Sequence, residues 1–341
     1  MNNKLESINY KLRIQSSISI VIVFCPPKVG STSLITSLRL SLPSYFTILH
    51  IHDELMLNIL CNITDITINE IIEYNRNLGK NIYIIDIFRT PIEHKISYFF
   101  ENISYHFNNT EEQINNYDIN LIIKRFNKLF PYLCNTDYYR QIYNIPLIDT
   151  FDLKHKYLYQ NINNVKYIKL RLDDFDSWST ILFNIFGIHI YTVKEYETNK
   201  KTISTLFKSF KDNYELPINF FHEINNEKLN YYLSIEEKNS YIIKWANKLT
   251  DYFTPFSKEE YIFYSKISSE NQIYFNMKKK HYMDEGCHCP VCSIKRNNLL
   301  IKIKNNQVIT EPDFIIHTKN KKINKNIIVI PKKQKKPMFF E

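Results

Sequence analysis

Residues 18–34 read ISIVIVFCPPKVGSTSL, and their reading decides the fold. Ile18 to Phe24 are mostly β-branched and about the length of a buried strand. Pro26 and Pro27 have no N–H to give, so they stop the ladder. From Ser31 the apolar residues Leu34, Ile35 and Leu38 fall on one helical face, with Ser31 or Thr32 available as the cap. The unit is strand, tight loop, helix. The first N–H groups of such a helix lack intrahelical partners, and the dipole favours an anion there. Lys28 adds a positive charge, and Ser31, Thr32 and Ser33 add hydroxyl donors. Gly30 is one of only four glycines in the chain. The stretch reads as a phosphate cradle; the alternative is an ordinary βα turn.

A Walker A loop places its lysine straight after the last glycine. Here Lys28 precedes Gly30, and no earlier glycine exists. That order counts against an ordinary ATPase or kinase. A second strand is predicted over 82–88, followed by Arg89 and by Pro91 in the first turn of a helix. Ile92, Ile96, Phe99, Phe100 and Ile103 form its apolar stripe. Ser97 lies about two turns into that helix, and His94 on the same helix is assigned to the surface. A third strand, over 166–172, runs into Asp173 and Asp174. Trp178, Ile181, Leu182, Ile185 and Phe186 then recur at helical spacing, and Gly187 ends the helix.

The order Pro-Lys-x-Gly-Ser-Thr-Ser-Leu at 27–34 resembles the 5′-phosphosulfate loop of sulfotransferases that use 3′-phosphoadenosine 5′-phosphosulfate (PAPS). Arg89 and Ser97 stand at the spacing that family uses to hold the donor's 3′-phosphate. An Arg fork suits a phosphate bidentately, and Ser adds a neutral donor. The strand, acidic pair and helix ending in Phe186-Gly187 resemble the family too, with a packing role implied. The stretch from Asn199-Lys200-Lys201 through Phe207, Phe210 and Tyr214 to Pro217 partly resembles putative capsular polysaccharide synthesis proteins. The resemblance implies an α/β fold with a mostly parallel central sheet, flanking helices and a P-loop-like sulfotransferase arrangement. It implies PAPS as co-substrate, no required metal, and a glycan or polysaccharide hydroxyl as acceptor. Gly30, Ser31, Thr32 and Ser33 would hold the 5′-phosphate, Arg89 and Ser97 the 3′-phosphate, and Lys28 would stabilise the leaving group. The family takes its base from the segment after the second strand, here Leu49 to Glu54. A histidine titrates near neutral pH, as a base must. The order of preference is His52, Glu54, His50; Asp53 and Glu54 can instead simply start a helix.

The net charge of +9 is not spread evenly. Residues 295–341 carry twelve Lys/Arg and three Asp/Glu, and the other 294 residues carry 32 of each sign. A neutral body with a basic tail is a poor general nucleic-acid binder, although the tail suits an anionic partner. No stretch approaches the roughly 18–20 apolar residues of a membrane span. The first fifteen residues lack the form of a signal peptide, so the expectation is a soluble, cytoplasmic protein. Of six cysteines, Cys25, Cys61 and Cys134 are scattered and read as core fillers or free thiols. Cys287, Cys289 and Cys292, with His281 nearby, form either a zinc site or a reduced thiol cluster; no second cysteine pair completes the usual structural set.

The expected organisation is a polar lead-in (1–17), the sulfotransferase-like α/β domain (18–257), a Lys/Cys-rich appendage (258–294) and a basic flexible tail (295–341). A strand is expected near 45–50, an exposed loop over 106–117, a helix over 118–130, and mainly helix over 175–250. Two other functions remain open. One is a divergent P-loop kinase, with Asp86 as a candidate magnesium ligand. The other is a non-catalytic nucleotide-fold binding protein that works through its tail.

Overall fold

A computed structural model describes residues 2–134 (apart from 55, 58–62 and 64), 151–194, 202–225 and 228–269. The chain opens with helix α1 (Asn2–Leu12), then strand β1 (Ser19–Phe24), helix α2 (Ser31–Ser41) and strand β2 (Phe46–Ile51). Helix α3 (Ile68–Asn77) leads to strand β3 (Asn81–Phe88) and helix α4 (Pro91–Glu101). Short helices α5 (Ile103–Phe107) and α6 (Glu111–Ile114) precede α7 (Ile119–Leu129). Strands β4 (Tyr157–Ile162) and β5 (Val165–Arg171) follow, then a 3-10 turn over Leu172–Ser177 and helix α8 (Trp178–Phe186). The last third holds α9 (Ser204–Asn213), β6 (Leu216–Pro217), α10 (Ile218–Asn225), α11 (Ile235–Ala246), β7 (Leu249–Thr250) and α12 (Lys258–Ser269).

The central sheet has the order β2-β1-β3-β5-β4. β1 pairs parallel with β2 and β3, and β3 parallel with β5; β4 joins the edge antiparallel. This is the α/β, mostly parallel sheet with flanking helices expected from the strand–helix alternation. β1 is buried along its whole length, which is why its sequence is an apolar run without polar alternation. Its side chains divide by parity. Ile20, Ile22 and Phe24 face one layer with Leu5 and Ile8 of α1 and Ile68, Ile71 and Ile72 of α3. Val21 and Val23 face the other with Leu34, Ile35 and Leu38 of α2 and Trp178, Ile181 and Leu182 of α8. A third, aromatic-rich cluster joins Phe99 and Phe100 of α4, Phe126 of α7, Phe207 and Phe210 of α9, and Trp245 of α11.

One local expectation needs correction, and two segments outside the expected α/β domain prove helical. Residues 2–12, read as a polar lead-in, form a helix that buries Leu5 and Ile8. The stretch 106–117 is not an exposed loop. Asn108 closes α5 in the left-handed region, and Thr110 caps α6 by accepting from the Gln113 N–H. The paired asparagines mark helix ends, and Ile114 is fully buried. Beyond 257 the chain continues as α12, whose Tyr261 and Tyr264 pack on the aromatic cluster. Among the described residues no helix is long and apolar enough to cross a membrane. Residues 287–292, His281, the capsule-like Asn199-Lys200-Lys201 and the basic tail lie outside the described residues.

Candidate functional site

β1 connects through α2 to β2 on one side, while β3 lies on the other side of β1. The chain therefore changes direction between β1 and β3. In open α/β sheets, the crevice at the carboxyl ends of strands at such a switch point is where ligands bind. The loop 25–30 leaves β1 at that end, and Arg89 leaves β3 beside it.

The loop is shaped by two left-handed residues, Lys28 at φ 67° and Gly30 at φ 89°. Gly30 is also the N-cap of α2, so no side-chain cap bond is made there. Neither Ser31 nor Thr32 serves as cap, because the turn needs the glycine conformation one residue earlier. An ideal Cβ on Gly30 would stand 2.6 Å from Leu172 Cδ1 and 3.4 Å from Trp178. The turn after β5 thus closes under the loop. Trp178 Nε1 donates to the Arg171 carbonyl at 3.0 Å, and Asp174 pairs with the Arg171 guanidinium, Nη2 to Oδ1 at 3.0 Å.

Side chains from neighbouring elements grip the loop's backbone and its lysine. His52 Nδ1 lies 2.7 Å from the Cys25 carbonyl, His94 Nε2 2.8 Å from that of Pro27, and Arg89 Nη1 donates to that of Lys28 at 2.7 Å. Lys28 Nζ pairs with Glu101 Oε2 at 3.2 Å. A carbonyl can only accept, so His52 carries its proton on Nδ1 and His94 on Nε2. His94, Ser97 and Glu101 fall at i, i+3 and i+7 of α4, a single stripe. Since His94 and Glu101 both meet the loop, Ser97 between them faces it too, and it is buried. The predicted loop residues, Arg89 and Ser97 are thus gathered at one strand end. Ser31 and Ser33 are buried and Thr32 is half-buried in the first turn of α2.

The base candidates separate. His50 and His52 are both buried, with ring centroids 4.5 Å apart. They share a side of the β2 end, as strand alternation predicts. Glu54 instead accepts from the Ile68 N–H at 3.0 Å at the start of α3, and Asp53 accepts from Met56 N–H at 2.9 Å. Asp53 bonds within its own turn, whereas Glu54 reaches the first residue of α3, fourteen positions along the chain. The surface assignment of His94 is overturned: it is 1% exposed. Burial pushes its pKa down to about 3, with Arg89, Lys95 and Lys169 adding to the shift and the Pro27 bond opposing it. It is a neutral donor that fixes the loop. Burial also lowers Arg89 from its ordinary value, opposed by Glu93 and Asp173. Burial raises Asp173, and Glu93 adds to that.

Comparison with protein-family models, curated proteins and solved structures finds no match to this chain. The reading of the site therefore rests on its own residues. Sequence reasoning missed His94 and Glu101 as loop contacts. Their signal was present: a polar stripe at 94, 97 and 101 opposite the apolar stripe of α4, with an acid at the end where the helix dipole disfavours one. Asp86 is fully buried and paired with Lys169 Nζ at 2.5 Å. Cys25 is buried, as a core filler should be. Among the described residues no group of three or more His, Cys, Asp or Glu could hold a metal.

Proposed function

We propose that this chain is a PAPS-dependent sulfotransferase with a P-loop-like donor site, acting on a hydroxyl of a glycan or polysaccharide. One observation carries the reading: Arg89 and the Lys28–Gly30 loop, which the sequence pairs as the two phosphate sites of one donor, meet at 2.7 Å at the switch point of the sheet. The left-handed residues at 28 and 30 also suit a backbone nest for an anion. The acceptor class comes from the sequence resemblance alone.

In this reaction the acceptor oxygen attacks sulfur and gives its proton to a base. The S–O bond to the 5′-phosphate breaks, and the bisphosphate leaves. Lys28 and the α2 N-terminus would stabilise charge on the departing phosphate. Arg89 and Ser97 would fix the 3′-phosphate and thereby the in-line register. His52 is the favoured base, because its Nδ1–H bond leaves the lone pair on Nε2. Against the kinase alternative stands its magnesium candidate Asp86, which is buried and paired with Lys169.

Calorimetric titration with 3′-phosphoadenosine 5′-phosphate tests the proposal, with ATP plus Mg²⁺ run in parallel. The bisphosphate should bind in preference to ATP. Arg89→Ala should weaken it about 100-fold, matching the ~3 kcal/mol of a strong charge-assisted bond. Preference for ATP would sink the proposal. With that site established, transfer to a panel of glycans would be measured, and His52→Asn, whose amide can still donate to the Cys25 carbonyl, should abolish it while leaving bisphosphate affinity intact.

A further inference from the structure

We propose that Glu101 is a positioning residue of this site: it holds the Lys28 ammonium while the loop is empty and yields it to the anionic group of the entering nucleotide. The inference rests on the donor reading above and adds a residue that the sequence analysis did not assign. Lys28 and Glu101 come from different elements, the loop after β1 and the last residue of α4. Their side chains are only 11% and 18% exposed, so solvent screens the pair less than a surface one.

Neither partner occupies a position its local structure favours. Lys28 holds φ 67°, a region that L-residues other than Asn and Asp seldom visit. Glu101 sets a carboxylate against the negative end of a helix dipole. Two locally disfavoured placements meet in one contact, and strain of this kind collects at functional sites. Glu101 also continues the His94–Ser97 stripe along the loop, within reach of the Lys28 ammonium.

A phosphate or phosphosulfate offers Lys28 more acceptor oxygens than one carboxylate does, and it carries its own loop contacts. Binding then exchanges one partner for another, and release restores the first. The consequence is weaker ground-state binding and easier departure of the spent bisphosphate.

Titration with 3′-phosphoadenosine 5′-phosphate over wild type, Glu101→Gln, Lys28→Met and the double variant tests this. Glu101→Gln should bind about tenfold more tightly, and that gain should vanish in the Lys28→Met background. Damage to the fold would not produce a gain. Should Glu101→Gln fold poorly, Glu101→Asp keeps the charge and withdraws it by one methylene, and a smaller gain is expected. Equal or weaker binding by the Glu101 variants while wild type binds would overturn the proposal and leave the donor reading standing. So would a gain that persists without Lys28, since Glu101 would then repel the ligand directly. Absence of binding in all four proteins would remove the donor reading and this inference with it.

Discussion

Gly30 combines a left-handed backbone with a side occupied by Leu172, so any side chain there meets two penalties at once. The backbone costs about 1–2 kcal/mol for an L-residue, and overpacking adds about 1, because the crowding atom is the movable end of the Leu172 side chain. Gly30→Ala should therefore lose about 2–3 kcal/mol in chemical denaturation. Adding Leu172→Ala should relieve the steric share and leave the backbone share. The need for glycine is legible in the sequence as a rare residue between a strand and a helix. Its neighbour Leu172 is not, because that contact joins positions 142 apart in the chain, and no periodicity reports it. The same holds at Lys28. Its identity suggests phosphate chemistry, whereas its pairing with Glu101 depends on how α4 crosses the loop.

β3 and β5 show what an element conceals. Their strand character is plain from apolar runs, and the register places Asp86 opposite Lys169 inside the sheet. A buried pair is destabilised most when one partner is removed. Lys169→Met should cost about 3–5 kcal/mol in denaturant unfolding, and Asp86→Asn in the same chain should recover much of it. A loss confined to the single variants would show that the pair acts as a unit. The bounds of β1 and β3 fall within a residue of those read from pattern, because burial on both faces makes the runs long and uninterrupted, whereas α3 was not read. α5 and α6 were misread because a helix of four or five residues has too little periodicity to register. Only their caps at Asn108 and Thr110 carry a signal.

At the scale of the molecule, two buried histidines, His94 and His106, set the response to acid. Burial lowers each pKa to about 3, and neighbouring cations add to both shifts. An unfolded histidine takes up its proton near 6.5. The unfolded state therefore binds more protons between these values, so stability is full above about pH 6.5 and falls as the pH drops toward 3. Each histidine contributes a slope of about 1.4 kcal/mol per pH unit in that window. Urea midpoints from pH 7 to pH 4 should fall accordingly, and His106→Gln should flatten the decline. A pH-independent midpoint would show that neither histidine stays neutral in the fold. The α4 helix also leans on distant chain: Tyr241 accepts the Ile92 N–H at 3.0 Å, and Lys244 pairs with Glu93. Farther along, Tyr105 donates to the Ser265 carbonyl at 3.1 Å on α12. A ribosome adding about 5–20 residues per second finishes residues 28–101 roughly 7–30 seconds before it reaches residue 241. During that interval the nascent chain owns every proposed donor contact yet lacks the clamp on the helix that presents Ser97 and the loop contacts His94 and Glu101. A chain halted before 235 would carry the complete motif and no working cradle.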